Sequence, residues 1–238
     1  MEACKVILFD LDDTLYDFSA CWETGMRETI RTHPLTRDLD TDAFYEKLAY
    51  YNDALWPQIA DRSLTFDEYR HVRLQNSLSH FDRQAKRQES DDFQALFRQK
   101  NEENMLPVEE TTALITELSG RYRLGIVTNG PADMTDKKLE RLQLAHLFPP
   151  DAVFISELIG HHKPDKRIFQ HVLAQMGADA HEALFVGDNW IADVAGAMDV
   201  GIPAVWLNAH GHEPQTPHVP LAMIERLVDL RKVLTLKY

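Results

Sequence analysis

Three aspartates, Asp10, Asp12 and Asp13, lie within the stretch "FDLDDTLY" that begins at Phe9. They directly follow the apolar run "KVILF", which predicts a buried strand ending at these carboxylates. Carboxylates this close repel one another, and desolvation at the end of a buried element adds to the cost. An ionised carboxylate can attack an electrophile without a partner base, and a second one can move protons. The stretch therefore indicates a site for chemistry.

Four more apolar runs predict the strands that accompany the first one. They lack polar alternation, as is typical of strands that are buried on both faces of a parallel sheet. Segments of helical period lie between them, at 137–144, 165–176 and 193–200. This order predicts an α/β fold with a doubly wound parallel sheet. The four runs are "LGIVT" (124–128), "AVFIS" (152–156), "ALFVG" (183–187) and "AVWLN" (204–208).

Polar residues follow most of these runs, at the edge where open parallel sheets bind their ligands. A single aspartate or asparagine at a strand end more often caps a helix or shapes a turn. Several sets that converge on one edge, with a lysine among them, predict a shared site. Besides Asp10 and Asp12, these residues are Thr128, Asn129, Lys163, Asp188 and Asp193.

Four ordered motifs in this chain resemble those of the haloacid dehalogenase-like superfamily of hydrolases. They are "DLDDT" (10–14), "VTNG" (127–130), "KP" (163–164) and "GDNWIAD" (187–193). The resemblance implies a Rossmann-like core at 1–16 and 105–238, with a helical cap domain inserted at 17–104. The inserted stretch has no comparable apolar run, and its charged and aromatic residues recur at helical spacing, for example in 42–56 and 91–104.

The resemblance also implies a role for each acidic motif residue. Asp10 would be the nucleophile and Asp12 the general acid/base. Mg²⁺ would be held by Asp10, the backbone carbonyl of Asp12, and Asp188, a set of hard oxygen ligands. Asp193 would either bind the metal through water or orient the ligands around it.

The remaining motif residues are implied to bind phosphate or to shape the loop. Thr128 and the backbone amide of Asn129 would donate hydrogen bonds to the phosphate. Lys163 would pair with both the phosphate and the nucleophile. Asp13 is expected to be structural, because aspartate tolerates unusual turn geometry. Thr14 would brace the loop through its hydroxyl.

The presence of Asp12 distinguishes between two hydrolytic reactions, the hydrolysis of a phosphate ester and the removal of a halide. An alkoxide leaving group needs a proton and a halide does not, and the dehalogenases of the superfamily lack this aspartate. The sequence thus favours a Mg²⁺-dependent phosphomonoesterase that acts through an aspartyl-phosphate, over a 2-haloacid dehalogenase or a domain that only binds phosphate or a partner protein. A small phosphate ester is the expected substrate.

Two stretches outside the motifs, 52–74 and 206–220, resemble the pyrimidine 5′-nucleotidases of the superfamily. This resemblance implies a nucleoside 5′-monophosphate as substrate, with a sugar phosphate, phosphoglycolate or flavin mononucleotide as open alternatives. Aromatic residues of the inserted stretch could stack on a base, although their spacing favours a helical core. They are Trp22, Phe44, Tyr45, Tyr50, Tyr51 and Trp56. The histidine pairs 161–162 and 210–212 are expected to be ordinary surface residues.

Composition bounds the remaining possibilities. The formal net charge of −13 repels nucleic-acid backbones and acidic membrane surfaces, so neither is an expected partner. No apolar run is long enough to span a bilayer, and no signal peptide is visible, which predicts a cytoplasmic protein. Cys4 and Cys21 are expected to be free thiols. The sequence is compatible with a monomer or a homodimer.

Overall fold

The computed structural model describes residues 4–237, and within that range it has one sheet of six parallel strands. The strands lie in the order β3-β2-β1-β4-β5-β6. This topology confirms the predicted α/β fold with a parallel, doubly wound sheet. The strands are β1 (Val6–Phe9), β2 (Arg123–Thr128), β3 (Val153–Ile155), β4 (Ala183–Gly187), β5 (Ala204–Leu207) and β6 (Ala222–Ile224).

The middle of the sheet explains why the first predicted strand is so apolar. Every residue of β1 and β4 is buried, because β1 lies between β2 and β4. Phe9 pairs with Ile126 on one side and with Val186 on the other. From β1 the chain builds β2 and β3 on one side and then returns to place β4 on the opposite side. The carboxyl ends of β1 and β4 therefore border the point where the winding reverses, which is where such sheets form a crevice.

The described chain divides into two compact units. One unit, here called the helical unit, is Ser19–Met105, and the other, the sheet unit, contains the residues up to Phe18 and from Leu106 onward. The helices in the first part of the chain are α1 (Phe18–Thr32), α2 (Thr41–Ala60), α3 (Phe66–Ser79) and α4 (Arg87–Asn104). The helical unit has its own buried core, in which Met26, Phe44, Leu74 and Phe93 belong to one cluster.

Most of the aromatic residues that could have served for stacking pack inside the helical unit. Phe44 is fully buried, and the ring of Trp22 contacts that of Tyr45, with centroids 5.7 Å apart. Trp56 packs against a second cluster of buried residues in the same unit. Tyr50 differs from the others, because 64% of its surface is exposed.

Six further helices belong to the sheet unit and follow its strands. They are α5 (Glu109–Ser119), α6 (Ala132–Arg141), α7 (Ser156–Ile159), α8 (Lys166–Met176), α9 (Gly196–Met198) and α10 (Leu230–Lys237). Buried residues of α8, such as Phe169 and Val172, pack on Phe185 of β4 and Leu8 of β1 in one core cluster. The core thus fixes the strand ends that carry the polar residues.

One element differs from its predicted form. The predicted helix at 193–200 begins earlier, as a π-helical turn at Trp190–Ala195 that follows the Asn189 cap and leads into α9. The last segment contains the edge strand β6 followed by α10. β6 is only three residues long with one buried position, so its sequence lacks a strong strand pattern. Between residues 4 and 237, no helix is both long and apolar enough to cross a membrane.

Candidate active site

The first strand delivers Asp10 to the crevice in the middle of the sheet. Asp10 follows Phe9, and its backbone N–H still donates to the carbonyl of Val186 in β4 at 2.9 Å. This bond extends the pairing of β1 with β4 by one residue and fixes the backbone that carries the carboxylate. Asp10 is buried, so its carboxylate is held in a largely desolvated place.

Lys163 joins Asp10 to a second buried carboxylate. Its Nζ donates to Oδ1 of Asp10 at 2.6 Å and to Oδ1 of Asp193 at 2.7 Å. Burial by itself lowers the pKa of Lys163, but the two carboxylates, Asp10 first, raise it above its ordinary value. The lysine is therefore charged at neutral pH.

One lysine does not balance the carboxylates around it. Burial raises the pKa of Asp10 well above its ordinary value, Lys163 opposes the shift, and repulsion from Asp193 and Asp188 adds to it. Burial, and then repulsion from Asp193, raises the pKa of Asp188 to about 7. Three buried or half-buried acidic groups thus lie close together, Lys163 pairs with Asp10 and Asp193, and the site carries an excess of negative charge.

The three aspartates form a donor set that fits a divalent metal ion. Asp10, Asp188 and Asp193 each offer a carboxylate oxygen, and these oxygens all lie within 4.8 Å of one another. Hard oxygen ligands and unbalanced negative charge are what Mg²⁺ requires. Among the described residues, no other group of three His, Cys, Asp or Glu side chains is close enough to hold a metal.

The surroundings of Asp193 distinguish it from the other two carboxylates. Its Oδ1 accepts from Lys163, and its Oδ2 accepts the backbone N–H of Asn189 at 3.0 Å. Gly187 makes this position possible, since a Cβ at residue 187 would overlap the carboxylate of Asp193. Both oxygens of Asp193 are therefore already engaged by donors of the protein.

The loop after β1 is shaped by a left-handed residue and by a side-chain hydrogen bond. Asp13 has φ of 59°, in the left-handed region that few residues other than glycine adopt, in agreement with its expected structural role. The hydroxyl of Thr14 donates to Oδ1 of Asp188 at 3.0 Å. Thr14 thus links the loop after β1 to the end of β4.

The end of β2 supplies the third part of the site. Thr128 is buried, and its hydroxyl oxygen accepts the backbone N–H of Gly130 at 3.0 Å. The side chain of Asn129 accepts the N–H of Lys163 and donates to the carbonyl of the same residue, both at 2.9 Å. Asn129 therefore clamps the backbone of Lys163, which is a contact that its predicted role as an amide donor did not include.

Asp12 lies among residues that the sequence analysis did not identify. Lys138 of α6 donates to both carboxylate oxygens of Asp12 at 2.6 Å, and the hydroxyl of Tyr16 donates to Oδ1 at 2.8 Å. Lys138 is fully buried, as are Met134 and Thr135 of the same helix. Its place four residues after Met134, on the apolar face of an amphipathic helix, is the signal that could have revealed it.

The paired histidines were expected to be ordinary surface residues. Nδ1 of His162 is 3.0 Å from the hydroxyl of Ser156, and Nδ1 of His161 is 3.9 Å from Asp165. The rings of His210 and His212 have centroids 5.9 Å apart. None of these four residues belongs to the carboxylate cluster. The two cysteines, Cys4 and Cys21, are free thiols as expected.

The sequence of the chain matches a family profile described as haloacid dehalogenase-like hydrolase over residues 4–201. The chain is 29% identical to the pyrimidine 5′-nucleotidase YjjG of Escherichia coli, over 96% of each chain. It is 31% identical to a glyceraldehyde 3-phosphate phosphatase of Pyrococcus abyssi, over 97% of this chain and 93% of that protein.

A solved structure with the same fold is that of the HAD-hydrolase YfnB of Bacillus subtilis, described as bound to magnesium. It superimposes with a TM-score of 0.84 at 26% identity, over 98% of this chain and 100% of that one. The similarity extends through both units of the chain, so it concerns the whole described fold and not the motifs alone.

Proposed function

The chain belongs to the haloacid dehalogenase-like hydrolases, and from this premise we propose that it is a Mg²⁺-dependent phosphomonoesterase that acts through an aspartyl-phosphate. One observation carries the proposal: carboxylate oxygens of Asp10 and Asp188, at the ends of neighbouring strands, cluster with one of Asp193, and Lys163 donates to both Asp10 and Asp193. This arrangement offers a carboxylate nucleophile, an acidic metal site and a cation for phosphate in one crevice.

In the proposed first step, a carboxylate oxygen of Asp10 attacks the phosphorus of the substrate. The bond from phosphorus to the ester oxygen breaks, and the phosphoryl group is transferred to Asp10. The hydrogen bond from Lys163 at 2.6 Å supports this role, because it fixes Oδ1 and favours the ionised form of the carboxylate. A positive charge beside the nucleophile also offsets repulsion between a carboxylate and a phosphate dianion.

Asp12 is proposed to move the protons in both steps. It gives a proton to the departing ester oxygen, which leaves as an alcohol, and it then accepts a proton from the water that hydrolyses the aspartyl-phosphate. The second step releases inorganic phosphate and restores Asp10. Proton transfer to an alkoxide is the part of this scheme that a dehalogenase does not need.

Thr128, the backbone amide of Asn129, and Lys163 are the proposed phosphate-binding groups. Thr128 ends β2 and Lys163 lies in the loop between α7 and α8, and the Asn129 side chain links the two segments by holding the backbone of Lys163. Donors fixed in this way stabilise the charge that develops on the phosphoryl oxygens and need no rearrangement during the reaction.

Asp10, the backbone carbonyl of Asp12, and Asp188 are the proposed holders of Mg²⁺, which when bound would neutralise charge on the phosphoryl group. Asp193 fits the orienting role better than direct ligation, because both of its oxygens already accept hydrogen bonds from Lys163 and Asn189. The similar structure of YfnB, described as bound to magnesium, supports the choice of metal.

Nucleoside 5′-monophosphates are the proposed substrates, and residues 19–105 are the proposed cap domain that selects among phosphate esters. The likeness to the nucleotidase YjjG over almost the full length supports this choice. The comparable likeness to a glyceraldehyde 3-phosphate phosphatase favours small sugar phosphates as the second candidate. Both candidates are phosphomonoesters of primary alcohols, and the same catalytic residues serve them.

A panel of phosphate esters tests the proposal. Purified protein with Mg²⁺ is assayed for phosphate release from ribo- and deoxyribonucleoside monophosphates, sugar phosphates, phosphoglycolate, flavin mononucleotide and 4-nitrophenyl phosphate. We expect the highest kcat/KM among the pyrimidine nucleotides. A higher kcat/KM for a sugar phosphate would overturn the proposed substrate but leave the proposed phosphatase reaction in place. Halide release from a 2-haloacid without phosphate release from any ester would overturn the reaction itself.

A further inference from the structure

Lys138 is buried next to the active site, and its ammonium group binds both oxygens of one carboxylate. Its Nζ lies 2.6 Å from each oxygen of Asp12, and only 2% of the lysine side chain is exposed. The same Nζ lies 4.6 Å from the centroid of the Phe18 ring, at a distance typical of a cation–π contact. A lysine is rarely buried without a specific partner, because desolvation of its charge is costly. The partner of Lys138 is Asp12.

The hydroxyl of Tyr16 fixes the same carboxylate from another direction. It donates to Oδ1 of Asp12 at 2.8 Å, so this oxygen accepts from both Tyr16 and Lys138. Three donated hydrogen bonds leave the carboxylate little freedom to turn about its side-chain bonds. Asp12 is therefore held in one orientation by residues of two different elements.

The surroundings of Gly130 show which groups lie beside the carboxylate of Asp12. A Cβ at residue 130 would lie 3.1 Å from Oγ1 of Thr128, 3.3 Å from Oδ2 of Asp12 and 3.5 Å from Nζ of Lys138. All three atoms thus surround the same point of backbone just beyond β2. Lys138 holds the carboxylate of Asp12 beside Thr128, one of the proposed phosphate-binding residues.

We propose that Lys138 is a positioning residue that holds the general acid/base Asp12 in the orientation from which it reaches the ester oxygen of the substrate. This inference rests on the proposed function, because it assigns the partner of the proposed acid/base. Two lysines then serve two different aspartates. Lys163 pairs with the nucleophile Asp10, and Lys138 pairs with the acid/base Asp12.

A positioning role has a signature that a purely structural role lacks. When the phosphoryl group moves to Asp10, a primary alcohol leaves only if Asp12 gives it a proton, whereas 4-nitrophenolate leaves as a stable anion. Loss of Lys138 should therefore slow the first step with an alkyl phosphate and spare the same step with 4-nitrophenyl phosphate. Damage to the fold or to the nucleophile would slow both.

The experiment measures the first turnover of Lys138→Met with enzyme in excess and Mg²⁺ present. The two probes are 4-nitrophenyl phosphate and the better of uridine 5′-monophosphate and glyceraldehyde 3-phosphate. We expect the alkyl ester to react about 100-fold more slowly than with the wild type, in the range of a lost general acid, and the aryl ester to react at close to the wild-type rate. Lys138→Arg should recover most of the rate, because its guanidinium can also donate to both oxygens.

Two further variants provide the controls. Lys137→Met removes the adjacent, half-exposed lysine, which pairs with Glu140, and should leave both rates unchanged. Asp12→Asn removes the group that Lys138 is proposed to position, so adding Lys138→Met to it should cause no further loss with the alkyl ester. Tyr16→Phe keeps the buried ion pair, and should slow the alkyl ester alone by a smaller factor.

The outcomes separate this inference from the proposed function. Equal slowing of both esters by Lys138→Met, or independent losses in the Asp12→Asn background, would overturn the positioning role while leaving a phosphatase. If Lys138→Met does not fold, Tyr16→Phe decides in its place, and equal slowing of both esters would then contradict the role. A wild type that releases phosphate from neither probe would contradict the proposed function.

Discussion

The three aspartates of the first loop have different surroundings although they are nearly adjacent in sequence. Asp10 accepts from Lys163, Asp12 accepts from Lys138, and Asp13 adopts a left-handed backbone conformation. Asp10 and Asp12 thus each have a lysine that reduces the cost of repulsion. The crowding predicted from the sequence is only partly relieved, because Asp188 and Asp193 remain close to Asp10 and the cluster keeps an excess of negative charge.

Lys163 should contribute to stability as well as to the proposed reaction. Lys163→Met removes the cation shared by Asp10 and Asp193, and we expect the free energy of unfolding at pH 8 to fall by about 3 kcal/mol or more. The loss should be smaller at pH 5.5, because protonation of Asp10, whose pKa is raised, relieves the repulsion. Urea unfolding at both pH values measures this.

The exposed Lys166, at the start of α8, provides the matched control for this prediction. Lys166→Met removes a neighbouring lysine that has no part in the carboxylate cluster, and it should change the free energy of unfolding by less than about 0.5 kcal/mol at either pH. A Lys163→Met protein as stable as the wild type at pH 8 would show that the ion pairs with Asp10 and Asp193 contribute nothing.

The sequence identified the members of the candidate site better than their pairing. Asp10, Asp188 and Asp193 were predicted to lie at one edge of the sheet, and their side chains do cluster there. The ion pair between Asp12 and Lys138 was not predicted from the sequence, because it joins a loop to a helix that lies far along the chain. A lysine in an amphipathic helix normally points to solvent, and only the three-dimensional arrangement shows that this one does not.

Among the elements, those with a continuous apolar pattern were the ones that the sequence predicted well. β1, β2 and β4 are buried on both faces and stand out as uninterrupted apolar runs. The edge strand β6 was not placed, because its exposed Met223 interrupts the pattern. The π-helical turn at Trp190–Ala195 follows from the polar contacts of Asn189 and Asp193, which helical periodicity does not encode.

Close packing of two helices in the helical unit yields a second prediction. A Cβ at Gly25 of α1 would lie 2.9 Å from the backbone nitrogen of Asn101 in α4 and 3.0 Å from its Cα. Backbone atoms cannot move aside as the end of a flexible side chain can. Gly25→Ala should therefore destabilise the protein by about 1–3 kcal/mol, even though alanine favours helix formation by about 1 kcal/mol.

Gly120 provides the comparison for this substitution. It has a negative φ, and a Cβ there would make only an ordinary contact, 3.5 Å from the carbonyl oxygen of Glu117. Gly120→Ala should leave the free energy of unfolding, measured with urea, within about 0.5 kcal/mol of the wild-type value. A stabilised Gly25→Ala protein would contradict the close approach of α1 and α4.

For the molecule as a whole, protons and a divalent cation should compete for the carboxylate cluster. The pKa of Asp188 is raised to about 7 and that of Asp10 is also raised, so without metal these two carboxyl groups bind more protons in the folded protein than in the unfolded chain. The stability that they contribute should then fall as pH rises from about 4 to about 7. Mg²⁺ at the proposed site would require the deprotonated carboxylates and should offset this loss.

We therefore predict that Mg²⁺ raises the thermal-unfolding midpoint, and that it does so more at pH 8 than at pH 6. The increase arises because the metal binds the folded state in preference to the unfolded chain. Asp188→Asn should remove most of the Mg²⁺-dependent shift at pH 8. An equal shift in Asp188→Asn and the wild type would place the metal elsewhere.

Asp10 is the residue proposed to take the phosphoryl group from the substrate, and the turnover of Asp10→Asn is the direct test of this role. Asp13→Asn is the matched control, since it removes the same charge from the same loop at a position that asparagine tolerates. With Mg²⁺ and 4-nitrophenyl phosphate, we expect kcat of Asp10→Asn to fall by several orders of magnitude and that of Asp13→Asn to remain close to the wild-type value. Normal turnover by a folded Asp10→Asn protein would contradict the account.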